Sequence, residues 1–150
     1  MSDRATSTAC PVGRALELIG DRWSLMIVRD LFDGLHRFGE LQKSLGAAKN
    51  ILSDRLRKLV AAGILTVEPA SDGSAYLEYV LTAKGRELFI LVVALRQWGE
   101  AHCFTEDEVH SELIEVDTGL PLAPLEVRSA GGRPVAATDT RVRKVSEAVA

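Results

Sequence analysis

Between positions 37 and 58 lie Arg37, Lys43, Lys49, Arg55, Arg57 and Lys58, opposed only by Glu40 and Asp54, a local net charge of +4 in a chain whose net charge is −3. An overall acidic balance argues against indiscriminate coating of nucleic acid, whereas a local cationic stretch suits a binder of particular sites. If the segment 48–62 is a helix, Leu52, Leu56 and Leu59 share one face, and Lys49, Asn50, Ser53 and Arg57 lie off it near the N-terminal half. If that helix is a recognition helix, these are the side chains that can reach base edges. Lys49 and Arg57 can bond guanine or phosphate, Asn50 fits an adenine edge, and the Ser53 hydroxyl serves base or phosphate. Lys58 is a further cation of the same helix, and Arg37 and Lys43 would clamp the backbone. Asp54 would repel phosphate, so it either accepts from a cytosine amine or pairs with Lys58 four residues on. The plain alternative for every one of these charges is a solvated helix face.

Cys10 precedes Pro11 at the expected start of a helix, where the positive end of the helix dipole favours a reactive thiolate; its plain alternative is a small packing residue. With Cys103 it makes two distant thiols, too few for a disulfide scaffold or a zinc site. His36, His102 and His110 show no metal-ligand spacing, so no metal and no cofactor is expected. Neither a glycine-rich phosphate loop nor a nucleophile elbow occurs, and no His is placed with a Ser or Cys in a local catalytic signature, so the chain does not read as an enzyme.

These residues need elements to position them. Pro11 opens a helix with Val12, Ala15, Leu16 and Ile19 on one stripe, stopped at Gly20. Asp21 then caps a helix running to about Leu31, with Trp23, Ile27, Val28 and Leu31 inward; both helices are expected to support the core. A third helix, from about Phe38 to Leu45, is broken at Gly46, and the fourth follows at once, from Ala48 to Ala62 with Val60 on its apolar stripe, closed by Gly63. Two short helices joined by a tight glycine turn describe a helix-turn-helix whose second helix enters the major groove. Ile64 to Ala70 and Tyr76 to Leu81 read as a hairpin around Ser71-Asp72-Gly73-Ser74, hence a wing.

Thr82 is expected to cap one long helix reaching Gly99 or just past it, with Leu88, Leu91, Val92, Leu95 and Trp98 at helical steps. That stripe is either core or the seam of a homodimer. Beyond about Phe104 the pattern weakens. Leu113 to Val116, Leu125 to Val127 and Val142 to Val145 are weak strands around turns at Thr118-Gly119 and Gly131-Gly132, in an extension that is β-rich or partly disordered. The expected organisation is therefore a DNA-binding and dimerisation domain over 1–103 and a C-terminal extension over 104–150, in a mostly helical α+β fold.

No apolar run approaches membrane-spanning length, and Met1 to Ala9 is short and polar, so a cytoplasmic protein without membrane contact is expected.

An ordered set of motifs adds to this reading. It comprises Cys10-Pro11-Val12, Gly20-Asp21-Arg22-Trp23-Ser24, Arg29-Asp30-Leu31, Gly34, Arg37-Phe38-Gly39-Glu40-Leu41, Ile51-Leu52-Ser53, Arg55-Leu56, Gly63-Ile64-Leu65 and Glu78-Tyr79-Val80-Leu81-Thr82 with Gly85. Together they resemble the HxlR family of winged helix-turn-helix regulators, over roughly two-thirds of the chain. The resemblance implies a homodimer acting on a palindromic double-stranded DNA operator, and a possible thiol-reactive or small-molecule effector sensed at the Cys10 motif. The wing departs from the family pattern: Ala70-Ser71-Asp72-Gly73-Ser74-Ala75 stands where basic residues and prolines are usual, so phosphate contact by the wing is not implied. Val127-Arg128-Ser129-Ala130-Gly131-Gly132 replaces the cysteine pair of longer members, removing a metal option for the tail. The competing reading is a winged-helix module for protein contact without DNA binding, which would not need Lys49 and Arg57; salt-dependent DNA binding separates the two.

Overall fold

A computed structural model describes residues 9–145. The chain divides into two compact units, Met1–Val92 and Val93–Ala150. The division falls inside the helix Phe89–His102.

In the first unit, α1 (Pro11–Ile19) begins with proline at its first turn and Cys10 as N-cap, the Cys10 sulfur accepting from the Gly13 N–H at 3.4 Å. The expected role of α1 as core support is corrected: only Ile19 is buried, whereas Val12 and Leu16 are 67% and 57% exposed. The helical period is genuine, but only the last turn of α1 reaches the core.

The next helix, α2 (Ser24–Phe32), starts later than Asp21 because residues 21–23 form a turn. Asp21 still does the capping: its carboxylate accepts from the Trp23 and Ser24 N–H groups, both at 2.9 Å, and from the Ser24 hydroxyl. Ile27, Val28 and Leu31 are buried as the spacing requires. The end of α2 is closed by Gly34 at φ 93°, with Gly34 N–H to Leu31 O and Leu35 N–H to Asp30 O, the paired bonds of a Schellman motif.

Helices α3 (Phe38–Leu45) and α4 (Lys49–Ala61) are joined by a turn in which Gly46 is left-handed. From α4, Leu52, Leu56 and Leu59 are buried, and with Ile19, Ile27, Val28, Leu31, Leu41, Ala47, Ile64 and Leu65 they form the core. A second Schellman pair, Gly63 N–H to Val60 O and Ile64 N–H to Leu59 O, turns the chain into the hairpin.

Strands β1 (Leu65–Pro69) and β2 (Leu77–Leu81) pair antiparallel, with Leu65 opposite Leu81 and Pro69 opposite Leu77. The free edge of β2 is taken up by the chain before α3, since the Tyr79 N–H donates to His36 O at 2.8 Å. This wing closes a winged helix-turn-helix.

The single long helix expected after Thr82 is two helices, α5 (Ala83–Arg86) and α6 (Phe89–His102). Thr82 caps α5, its hydroxyl oxygen accepting from the Gly85 N–H at 3.1 Å. Thr82 also ties the hairpin exit to the end of α4, donating from its hydroxyl to Gly63 O at 2.6 Å and from its N–H to Ile64 O at 3.0 Å. Gly85 is buried against the Ile64 carbonyl, where a Cβ would lie 2.2 Å from the oxygen. The helix breaks because this contact fixes Gly85, and the chain leaves by a tight bond from Leu88 N–H to Gly85 O.

In the second unit, Val93 is the one buried residue among those described. Its extension is held by side chains. Arg96 donates to the Ser111 carbonyl and hydroxyl, both at 3.0 Å. The Gln97 amide donates to Ala123 O at 3.0 Å and accepts from the Leu125 N–H at 2.7 Å. The expected turns form, with Gly119 and Gly132 at positive φ, but the expected strands do not. Isolated bridges join Ile114 to Pro121 and Arg128 to Pro134, and residues 142–144 are irregular. A strand needs a partner along its length, and here a glutamine side chain takes the partner's place at the backbone of 123 and 125.

Candidate nucleic-acid interface

The packing of α4 against the core leaves Lys49, Asn50, Ser53, Arg57 and Lys58 exposed together. Ala48, the N-cap, offers no side-chain bond, so the positive end of the α4 dipole and its first N–H groups are left for an external acceptor. In the sequence its only sign is an alanine where Ser, Thr, Asp or Asn would cap. Among the described residues, Lys43 on α3 and Lys49 on α4 are exposed and hold no ion pair.

The other cations are engaged. Arg57 pairs with Asp54 at 2.6 Å and Lys58 pairs with the same carboxylate at 3.2 Å, so in the free chain Asp54 makes the intrahelical pair. Those two cations, Lys58 first, hold the Asp54 carboxyl below the usual carboxylate range.

Arg37, expected to clamp phosphate, meets the wing in the free chain. Its guanidinium donates to Asp72 at 2.5 Å and to Ser74 at 3.4 Å, lies 3.8 Å from Glu78, and stacks over the Tyr76 ring at 4.8 Å. Asp72 also accepts from the Ser74 N–H at 2.9 Å. The Ser74 bonds and then Arg37 lower the Asp72 carboxyl to about 2, and the Asp72 bond in turn raises Arg37 above its ordinary value. Arg37 and Asp72 are 35 residues apart, and no local spacing announces their meeting.

Arg55 faces inward, half-buried, with its Nε 3.7 Å from the Asp21 carboxylate. Burial alone would raise the Asp21 carboxyl; the bonds from Ser24 and Trp23, with Arg55, outweigh it and leave the group lowered. Asp21 therefore caps α2 and fixes α4 at once.

The expected seam divides. In the first unit Leu88 and Val92 pack on the core while Leu91 is exposed; in the second, Leu95 and Trp98 are 52% and 63% exposed. Cys10 is half-buried and Cys103 exposed, both as free thiols. Among the described residues no group of three His, Cys, Asp or Glu is placed to hold a metal ion, and no helix is long and apolar enough to cross a membrane.

Residues 18–107 match the sequence profile of a family described as HxlR-like helix-turn-helix. The chain belongs to this HxlR-like family. Its relatives are transcription regulators, a class without enzymatic activity. The uncharacterized HTH-type transcriptional regulator Rv3095 of Mycobacterium tuberculosis is 48% identical over 91 residues, which is 61% of this chain and 58% of that protein. The match thus spans little more than half the relative's length. The crystal structure of PA1607, a candidate transcription factor, is 55% identical with a TM-score of 0.88, covering 94% of this chain and 99% of that one. The redox regulator HypR in its reduced form is 32% identical with a TM-score of 0.57, covering 62% of this chain and 93% of that one. The HxlR-like profile ends at residue 107, so most of the extension lies outside it.

Proposed function

We propose that the chain is a sequence-specific DNA-binding transcription regulator acting as a homodimer on a palindromic operator. The observation that carries this reading is the face of α4: Lys49, Asn50 and Ser53 exposed together beside an uncapped helix N-terminus, with Lys43 close by in sequence on the preceding helix. In this reading α4 lies in the major groove with its N-terminal half toward the base edges. The test is selection of bound duplexes from a random pool, followed by titration of the selected site. Lys49→Ala and Arg57→Ala should each weaken binding by roughly 1–3 kcal/mol where they contact bases, or flatten the salt dependence where they contact phosphate. A pool without enrichment would favour the protein-contact module.

The homodimer is supported by apolar surface left uncovered on the protomer, at Val12 and Leu16 of α1 and at Leu91, Leu95 and Trp98 of α6. Two copies related by a twofold axis would place half-sites about 10 base pairs apart or a multiple of that. Sedimentation as a monomer at micromolar concentration, free and DNA-bound, would exclude it.

Regulation through Cys10 is supported by its place as N-cap of α1 and by the likeness to the redox regulator HypR. Operator affinity before and after a mild oxidant, in the parent chain, Cys10→Ser and Cys103→Ser, tests it; unchanged affinity with Cys10 modified excludes it.

A further inference from the structure

The face that meets DNA in the reading above carries its own anions. Of the five cations Arg37, Lys43, Lys49, Arg57 and Lys58, three are held by two carboxylates: Asp72 on the wing holds Arg37 at 2.5 Å, and Asp54 holds Arg57 at 2.6 Å and Lys58 at 3.2 Å. The pairs are open to solvent, with side-chain exposures of 28% and 55% for Arg37 and Asp72, and 71% and 38% for Arg57 and Asp54. Exposed pairs of this kind add little to folding. Their effect falls on whatever approaches from outside. A DNA phosphate must compete with a carboxylate already in place for each of these cations, and Asp54 repels the phosphate as well.

We propose that Asp54 and Asp72 are specificity-determining residues that weaken binding to DNA in general by occupying Arg57, Lys58 and Arg37. The proposal rests on the DNA-binding reading and adds a selectivity device to it. On a nonspecific duplex only Lys43 and Lys49 of these five cations are free to displace counterions, a contribution of roughly −2 per protomer to the salt slope. On the selected site the loss is recovered: the cytosine amine is a base-edge donor suited to Asp54, and once Asp54 has that partner Arg57 and Lys58 are released to acceptors of their own. Asp72 works differently, since Arg37 must leave both the carboxylate and the Tyr76 ring to reach DNA. The two anions thus set a threshold that phosphate alone crosses poorly.

The experiment compares the full chain with Asp72→Asn and Asp54→Asn on a random-sequence duplex and on the selected operator, across a salt series. Asparagine retains an acceptor oxygen for the Ser74 N–H, so the wing turn survives in Asp72→Asn. Each variant should bind the random duplex several-fold more tightly, with a slope steeper by about 0.9 for each cation freed, and should lose operator-to-random selectivity. Asp107→Asn, an exposed carboxylate of the other unit, gives the size of a mere change in net charge. In an Arg37→Gln background, Asp72→Asn should produce only that control-sized change. The proposal is overturned if the Asn variants bind the random duplex no better than Asp107→Asn, or if the gain from Asp72→Asn persists without Arg37. Those results, with an unaltered chain that still selects a site, leave the DNA-binding reading standing. A chain that binds no duplex overturns both.

Discussion

The two units keep their order by different means. Among the described residues, the first buries eleven apolar side chains in one cluster drawn from α1, α2, α3, α4, β1 and the connections between them. The second buries Val93 and holds its long extension with the Arg96 and Gln97 side chains and turns at Gly119 and Gly132. Apolar burial is cooperative and insensitive to any single hydrogen bond, whereas a polar latch is local and opens by itself. The contrast also divides labour: the rigid unit carries the cationic face, and the latched unit carries the acidic stretch Glu106, Asp107, Glu108, Glu112, Glu115 and Asp117.

The sharpest way to break this comparison is Leu56→Ala. A fully buried leucine in the middle of α4 leaves a cavity, and unfolding by urea should show a loss of about 2–5 kcal/mol. Leu120→Ala, at a position 63% exposed in the extension, should stay within about 0.5 kcal/mol. Equal losses would mean that the second unit has a core after all.

Asp21→Ala comes next, at about 1 kcal/mol, because it removes the cap of α2 together with the partner of Arg55. The Asp21 carboxyl is lowered in the folded chain, so its contribution is present above the ordinary value of 3.8 and is lost as the pH falls through the lowered one. Stability profiles of parent and variant should therefore converge on the acid side of 3.8 and separate above it. Parallel profiles would deny Asp21 that role.

Gln97→Ala should cost about 1 kcal/mol or less, confined to the extension. Hydrogen exchange at the Leu125 amide should accelerate while amides of α4 keep their protection. Acceleration in both places would merge the two units into one cooperative block.

The parts of the fold that were legible are those where a period and a punctuating residue agree. The boundaries of α3 fall at Phe38 and Leu45 because the apolar spacing ends where Gly46 takes a left-handed turn, and α4 is bounded by Ala48 and by Gly63 in the same way. Where the period has no partner in the protomer, as at Val12 and Leu16, the sequence shows an apolar face without saying what covers it. The break at Gly85 follows from a backbone contact with Ile64, twenty-one positions earlier, which leaves no mark on local spacing. At the candidate site the exposure of Lys49, Asn50 and Ser53 follows from the leucine stripe alone. The capture of Arg37 by Asp72 needs the folded wing, and in the sequence Asp72 stands 35 positions from its partner.

The knot at Thr82 has a mechanical side. Its bonds to Gly63 and Ile64, the Lys84 ammonium on Ala62 O at 2.7 Å and the seat of Gly85 on the Ile64 carbonyl weld the root of the closing helices to the C-terminal end of α4. The thirteen residues of α4 make a rod of about 20 Å pivoted at that weld, with Lys49 and Asn50 at the far tip. A tilt of about 5° imposed at the pivot sweeps the tip through roughly 1.7 Å, enough to carry a side chain out of hydrogen-bonding range of a base edge. The weld makes α4 a lever whose short end is gripped by α5, so a slight displacement there is magnified where the sequence is read.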